Sequence, residues 1–128
     1  MQTKLNELLK NSYAPYSHYK VAAIIEMNDG SYFNGVNVEN ASYGASVCAE
    51  RIAIFSAITN GYKKNDFKAL HLMNSSHNLA YPCQLCLQVM EEFFTEDTQI
   101  IIYAKNKKTI VDIDDLVPHP FTKKDLPL

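Results

Sequence analysis

The sequence predicts an α/β fold: a mixed β-sheet with helices on both of its faces. Two observations carry this. Apolar periodicity switches between helical and extended spacing in the order α-β-β-α-β-α-β-β, and helices interleaved with strands pack on both faces of a sheet. A strong turn signal, Asn28-Asp29-Gly30, separates the first two extended segments and predicts a hairpin. The 128 residues fit one domain, 1–128, with no repeat, linker or low-complexity segment.

Each element has its own warrant. Leu5, Leu8 and Leu9 recur at helical spacing, so a short amphipathic helix is expected from about Thr3 to Tyr13, with Pro15 preventing its continuation. Val21 to Met27 is apolar and partly β-branched, and Ser31 to Val36 resumes the extended pattern. Asn37 to Ser46 is polar, small and turn-like. Cys48 to Asn60 is apolar on most sides through Ile52, Ala53, Phe55 and Ile58, which predicts a buried helix ending at Gly61. Ala69 to Met73 reads as a buried strand and Asn74 to Tyr81 as a loop. Pro82 leads into a helix over Leu85 to Phe94. Gln99 to Tyr103 is rich in isoleucine and reads as a strand, and Thr109 to Ile113 pairs with it as a last one. Thr122 followed by Asp125 predicts a capped turn near the end.

Bulk chemistry excludes several classes. A hydrophobic content of 47% and a charged content of 20% are ordinary for a globular protein. The net charge of -2 argues against a polynucleotide partner. Three cysteines fit a disulfide framework poorly and a reducing, cytoplasmic compartment well. Met1 to Glu7 has no apolar signal-peptide core, and no run approaches the ~20 apolar residues of a membrane span. The expectation is a cytoplasmic protein with neither membrane nor nucleic acid as partner.

The cysteines carry the chemistry. Cys48 opens Cys48-Ala49-Glu50, and the other two lie in Pro82-Cys83-Gln84-Leu85-Cys86. Three thiolates with one nearby carboxylate suit a catalytic zinc, which keeps one position for water, better than a structural zinc with four protein ligands. The pattern resembles the zinc-deaminase signature in its all-cysteine form. Inside a helix, Cys48 and Glu50 would point roughly 200° apart, from about 100° per residue. They serve one site only if Cys48 lies at the helix start. Cys83 and Cys86, three apart, share one face of a helical turn, and Pro82 is consistent with a helix beginning at Cys83, so Cys48 and Cys83 should each open a helix, whose free N–H groups favour thiolate. Arg51, three residues from Cys48, would draw charge off the sulfurs. Glu50 fits as a proton shuttle beside an activated water.

Beyond these residues, nearly the whole chain resembles the small homotetrameric cytidine deaminases of nucleoside salvage. The resemblance runs through Tyr13-Ala14-Pro15-Tyr16-Ser17, Gly35-Val36-Asn37-Val38-Glu39-Asn40-Ala41-Ser42-Tyr43, Cys48-Ala49-Glu50-Arg51, and Pro82-Cys83 with Cys86 and Gln88-Val89. It ends at Leu116-Val117-Pro118, Phe121 and Asp125-Leu126. It implies a three-layer α/β/α sandwich around a five-stranded mixed sheet. It implies hydrolysis of cytidine and 2′-deoxycytidine to uridine and 2′-deoxyuridine plus ammonia, with one zinc ion per subunit. By the same resemblance, Cys48, Cys83 and Cys86 are the zinc ligands, with Arg51 hydrogen-bonded to them, and Glu50 is the acid/base. Asn37 and Glu39 hold the ribose 3′-hydroxyl, the Ala49 N–H binds the pyrimidine carbonyl, and Tyr19 lies against the pyrimidine. Ala41, Tyr43 and Phe121 reach a neighbouring subunit's site in a homotetramer.

Three positions depart from the family pattern: Tyr19 where phenylalanine is usual, Ala22-Ala23 for Gly-Ala, and Leu87 where many relatives have arginine. Other readings stand beside the resemblance. Cys83-x-x-Cys86 alone could be a redox pair. A structural zinc would need His18, His71, His77 or His119 as fourth ligand, making a non-catalytic interaction domain. A deaminase of another amine-bearing heterocycle, such as a nucleoside antibiotic, would use the same zinc set. Taken alone, Asn37 and Glu39 would more often cap a loop than hold a ligand.

Overall fold

Helices and strands follow in the expected order. The structure, a computed structural model, describes residues 1–127. Helix α1 spans Gln2–Leu9, strand β1 Val21–Met27, β2 Tyr32–Val36, helix α2 Ala49–Thr59 and β3 Phe67–Asn74. Helix α3 spans Gln84–Phe93, β4 Gln99–Tyr103, β5 Lys108–Val111 and the short α4 Ile113–Leu116. The five strands form one sheet in the order β2-β1-β3-β4-β5. Only β3 and β4 run parallel, joined by the α3 crossover; the other neighbours are antiparallel.

The two faces are buried by different helices. Ala23, Ile25, Leu70, Leu72, Ile100 and Ile102 face α2 and α3, where Ala53, Ile54, Ala57, Leu87 and Met90 complete the larger core. Ala22, Ile24, Ala69, Met73 and Ile101 face α1 through Leu5 and Leu9. Strand alternation thus sends neighbouring residues to opposite layers, as the period of two requires. The result is the α/β/α sandwich that the resemblance implies, with a single short helix as its thinner layer.

Two boundaries differ from expectation. Helix α1 stops at Leu9 rather than continuing to Tyr13. The Tyr13 N–H bonds the Asn37 carbonyl (3.0 Å), and the Tyr13 carbonyl accepts from the Glu39 N–H (2.9 Å). That bridge pulls the chain off the helix axis well before Pro15. The last strand ends at Val111 rather than Ile113, because Asp112 opens α4. Asp112 Oδ1 accepts from the Asp115 N–H, and Asp115 Oδ2 accepts from the Asp112 N–H, both at 3.0 Å. This reciprocal pair satisfies two helix-start donors. A similar pair, Thr122 and Asp125, caps a 3-10 turn at Lys123–Asp125, as expected.

His71 lies in β3 on the α1 face and is 6% exposed. Its Nε2 bonds Glu26 Oε1 (3.0 Å) and its Nδ1 pairs with the Tyr103 hydroxyl (2.9 Å). An ionised Glu26 only accepts, so Nε2 carries the proton and Nδ1 accepts from Tyr103. Both ring nitrogens are consumed on the face opposite α2 and α3.

One close approach fixes α2 against the sheet. A Cβ on Gly35 of β2 would lie 2.7 Å from the Ala53 nitrogen and closer still to the Ala49 carbonyl oxygen. Both are backbone atoms that cannot swing aside. Gly35→Ala should therefore push out the first turns of α2. The expected outcome is a loss of about 1–3 kcal/mol of stability, the range for overpacking, together with reduced zinc content. Denaturant melts with metal analysis check both.

Candidate functional site

Cysteine placement follows from the two helix starts. Cys48 is the residue before α2 and Cys83 the residue before α3, both with extended backbone (ψ 154° and 167°). Cys86 lies one turn into α3 and is fully buried. The Sγ atoms of Cys48 and Cys83 are 3.8 Å apart, and those of Cys83 and Cys86 are 3.5 Å apart. All three sulfurs lie within 4.8 Å of one another, and no His, Asp or Glu among the described residues joins the group. Three sulfur donors without a fourth protein ligand fit a catalytic zinc and not a structural one. His71, held by Glu26 and Tyr103, is excluded as the missing ligand.

The surrounding charges act on these thiols. Cys48 is held down to about 5, chiefly by its pairing with the Cys86 thiol and further by Arg51 and Cys83. Cys86 is pushed up by the same pairing and by burial. Arg51 Nη2 lies 3.6 Å from Cys48 Sγ, as its spacing of three residues predicts. Glu50, in the first turn of α2, is only 5% exposed. Burial, with the Cys48 charge adding, raises its carboxyl to about 7.

A cleft of about 210 Å³ brings the remaining groups to this cluster. Tyr19, Asn37, Glu39, Cys48, Glu50 and Cys83 all line it. Cys86 and Arg51 lie beside it through their contacts with Cys83 and Cys48. Ala49 is buried in the first turn of α2, whose N–H groups have no intrahelical acceptor and no side-chain cap. Ala41, Tyr43 and Phe121 do not line the cleft; all three are exposed, Tyr43 at 76% and Phe121 at 57%. Ser17, Val21, Leu72, Asn74, Ala80 and Tyr81 line it without having been singled out by sequence. Tyr81 and Ala80 were detectable as the residues leading into Pro82-Cys83, and Ser17 by its place two before Tyr19. Leu72 and Asn74 carry no local signal, because β3 brings them in from across the sheet.

Asn37 and Glu39 have structural partners. Glu39 Oε1 accepts from the Tyr16 and Ser17 N–H groups (3.0 Å each), and Oε2 accepts from the Ser17 hydroxyl. These bonds, the Ser17 hydroxyl foremost, hold the Glu39 carboxyl below the usual carboxylate range. Asn37 Oδ1 accepts from the Val21 N–H (2.8 Å) and the Ser12 hydroxyl, while Nδ2 donates to the Tyr19 carbonyl (2.8 Å). Both side chains clasp the loop that carries Tyr19.

Comparison with known proteins places this arrangement. Residues 1–107 match the family model described as the cytidine and deoxycytidylate deaminase zinc-binding region. The cytidine deaminase of Halalkalibacterium halodurans is 36% identical over 118 residues, covering 91% of this chain and 88% of that protein. A crystal structure of cytidine deaminase from Burkholderia pseudomallei superposes with a TM-score of 0.87 at 38% identity, covering 93% of this chain and 94% of that one. The blasticidin-S deaminase of Bacillus cereus is 27% identical, covering 87% of this chain and 82% of that protein. The chain is an enzyme of the zinc-binding cytidine and deoxycytidylate deaminase family. No helix among the described residues is long and apolar enough to cross a membrane.

Among the described residues, Arg51 is the one cation bonded to a cluster sulfur. Arg51→Ala should weaken zinc binding about 10- to 100-fold, the range for such supporting partners. Chelator competition on the folded protein measures it; an unchanged affinity would remove Arg51 from the metal centre.

Proposed function

We propose that the protein hydrolyses cytidine and 2′-deoxycytidine to uridine and 2′-deoxyuridine with release of ammonia, as a step of pyrimidine salvage. The observation that carries this reading is the Glu50 carboxyl, buried in the same cleft as the three-thiol cluster and the polar pair Asn37 and Glu39. Cys48, Cys83 and Cys86 would hold zinc. When bound, zinc supplies a Lewis acid that brings the pKa of water to about 7. Glu50 takes one proton from the attacking water to the ring nitrogen, which keeps it in the product, and then carries the second, from the new C4 hydroxyl, to the leaving amine. The Ala49 N–H, at the open start of α2, holds the pyrimidine carbonyl, and the Tyr19 ring packs on the base.

Hydrogen-bond counting supports both sugars as substrates. A carboxylate has about four acceptor positions, and loop donors occupy all but one of them on Glu39. Asn37 has a filled Oδ1 and a single spare N–H. Together they offer one acceptor and one donor, which a single hydroxyl satisfies. One hydroxyl read in this way is the 3′-hydroxyl, common to ribose and deoxyribose.

A second reading is deamination of another amine-bearing heterocycle, favoured by the Tyr19 hydroxyl on the cleft wall. One relative carries the name blasticidin-S deaminase. Zinc-loaded protein incubated with cytidine, deoxycytidine and blasticidin S separates the readings by the absorbance change of each substrate. Turnover of cytidine is expected, and its absence at full zinc content would falsify the leading proposal. Glu50→Gln should retain zinc and fold while losing at least about 10²-fold in kcat.

We also place the enzyme in the cytoplasm as a homotetramer with shared sites. Three free thiols suit a reducing compartment. Tyr16 and Tyr43 pack edge-on (ring centroids 6.0 Å apart) in an exposed concavity that shares Ser17 and Glu39 with the cleft. This apolar surface, continuous with the site, suits a neighbouring subunit. Phe121→Ala should then lower kcat/KM without lowering zinc content. Activity per subunit should also fall as dilution dissociates the assembly, followed by light scattering and initial rates.

A further inference from the structure

We infer that Ser17 is a positioning residue for substrate, linking the sugar-binding carboxylate to the wall against the base. The inference rests on the reading above in which Glu39 accepts from the ribose 3′-hydroxyl. The Ser17 hydroxyl donates to Glu39 Oε2, the same oxygen that has acceptor capacity left for substrate. The same Oγ accepts the Tyr19 N–H at 3.0 Å. One atom therefore sets both the direction of the free Glu39 lone pair and the backbone of Tyr19.

The loop needs this pin. His18, between Ser17 and Tyr19, has φ 59°, a left-handed conformation that a non-glycine residue adopts at a cost. Its N–H bonds the Ala14 carbonyl (3.0 Å), which closes the turn on one side. Tyr19 is then held at its carbonyl by Asn37 Nδ2 and at its N–H by Ser17. Without the Ser17 hydroxyl, Glu39 keeps its two backbone donors on Oε1, but Oε2 loses its orienting partner and the Tyr19 N–H is released. The effect should fall on recognition of the sugar and not on proton transfer at Glu50, since Ser17 touches neither the carboxyl of Glu50 nor a sulfur.

Steady-state kinetics of the zinc-loaded enzyme with cytidine and 3′-deoxycytidine test this. Wild type should prefer cytidine. Ser17→Ala should raise KM for cytidine about tenfold, the value of one charge-assisted hydrogen bond, with kcat within about twofold. Its preference for cytidine over 3′-deoxycytidine should shrink by the same factor. Ser17→Thr, which keeps the hydroxyl, should restore both. Unchanged kinetics in Ser17→Ala, equal losses on both substrates, or no rescue by threonine would overturn the role of Ser17. If Ser17→Ala does not fold, Ser17→Gly serves the same comparison. A wild type that treats the two substrates alike would instead overturn the sugar reading of Glu39, and this inference with it. No cytidine turnover at all would overturn the proposed function.

Discussion

Contact between the first turn of α2 and β2 determines where the three sulfurs meet. Backbone touches backbone there, and the absence of a side chain at Gly35 permits it. Cys48 and Glu50 ride on that turn, so their depth in the molecule is set by sheet packing and not by their own contacts. Helix α3 is seated on the same face through Leu87 and Met90, which carries Cys83 and Cys86 to the same place. The resulting cluster is built from rigid elements whose positions are fixed by buried apolar surface, which is what a metal centre with narrow geometric tolerance requires.

The side of the cleft that carries Asn37 and Glu39 is organised differently. Tyr16 to Tyr19 belong to no helix or strand, and side-chain hydrogen bonds from Asn37 and Glu39 tie them down. Of the two explanations these residues carry in the sequence, capping a loop is the one their hydrogen bonds show, and holding a ligand is the proposal built on the capacity left over. Each group spends most of its hydrogen-bonding capacity on the loop and keeps one position over, and both residues line the cleft.

Much of this was legible in advance. That Cys48 opens a helix follows from the angle between residues two apart, Pro82 marks Cys83 as a second helix start, and the structure meets both. The hairpin follows from Asn28-Asp29-Gly30, and the order of helices and strands along the chain from the switch between helical and extended periodicity. Helix α1 ran short because its end is set by a bridge to Asn37 and Glu39, residues distant in sequence. Helix α4 had a readable signal in the Asp112 and Asp115 pair, but four residues give no periodicity. Leu72 and Asn74 could not be foreseen in the cleft because strand register, not local sequence, brings them there. The twofold use of Ser17 is a matter of atoms and not of residue types, and so belongs to the structure alone.

Cys48 and Cys83 stand where helices ordinarily begin with serine, threonine, aspartate or asparagine, yet neither makes a side-chain cap. With zinc bound, thiolate charge at these two positions would face the positive end of each helix, where negative charge is stabilised. A substitution at either position therefore removes a metal donor and unsettles a helix in one event. Such a centre cannot drift by small steps. Change that leaves the cluster whole is confined to the walls around it, to places such as Tyr19 and Tyr81, which line the cleft and supply no sulfur.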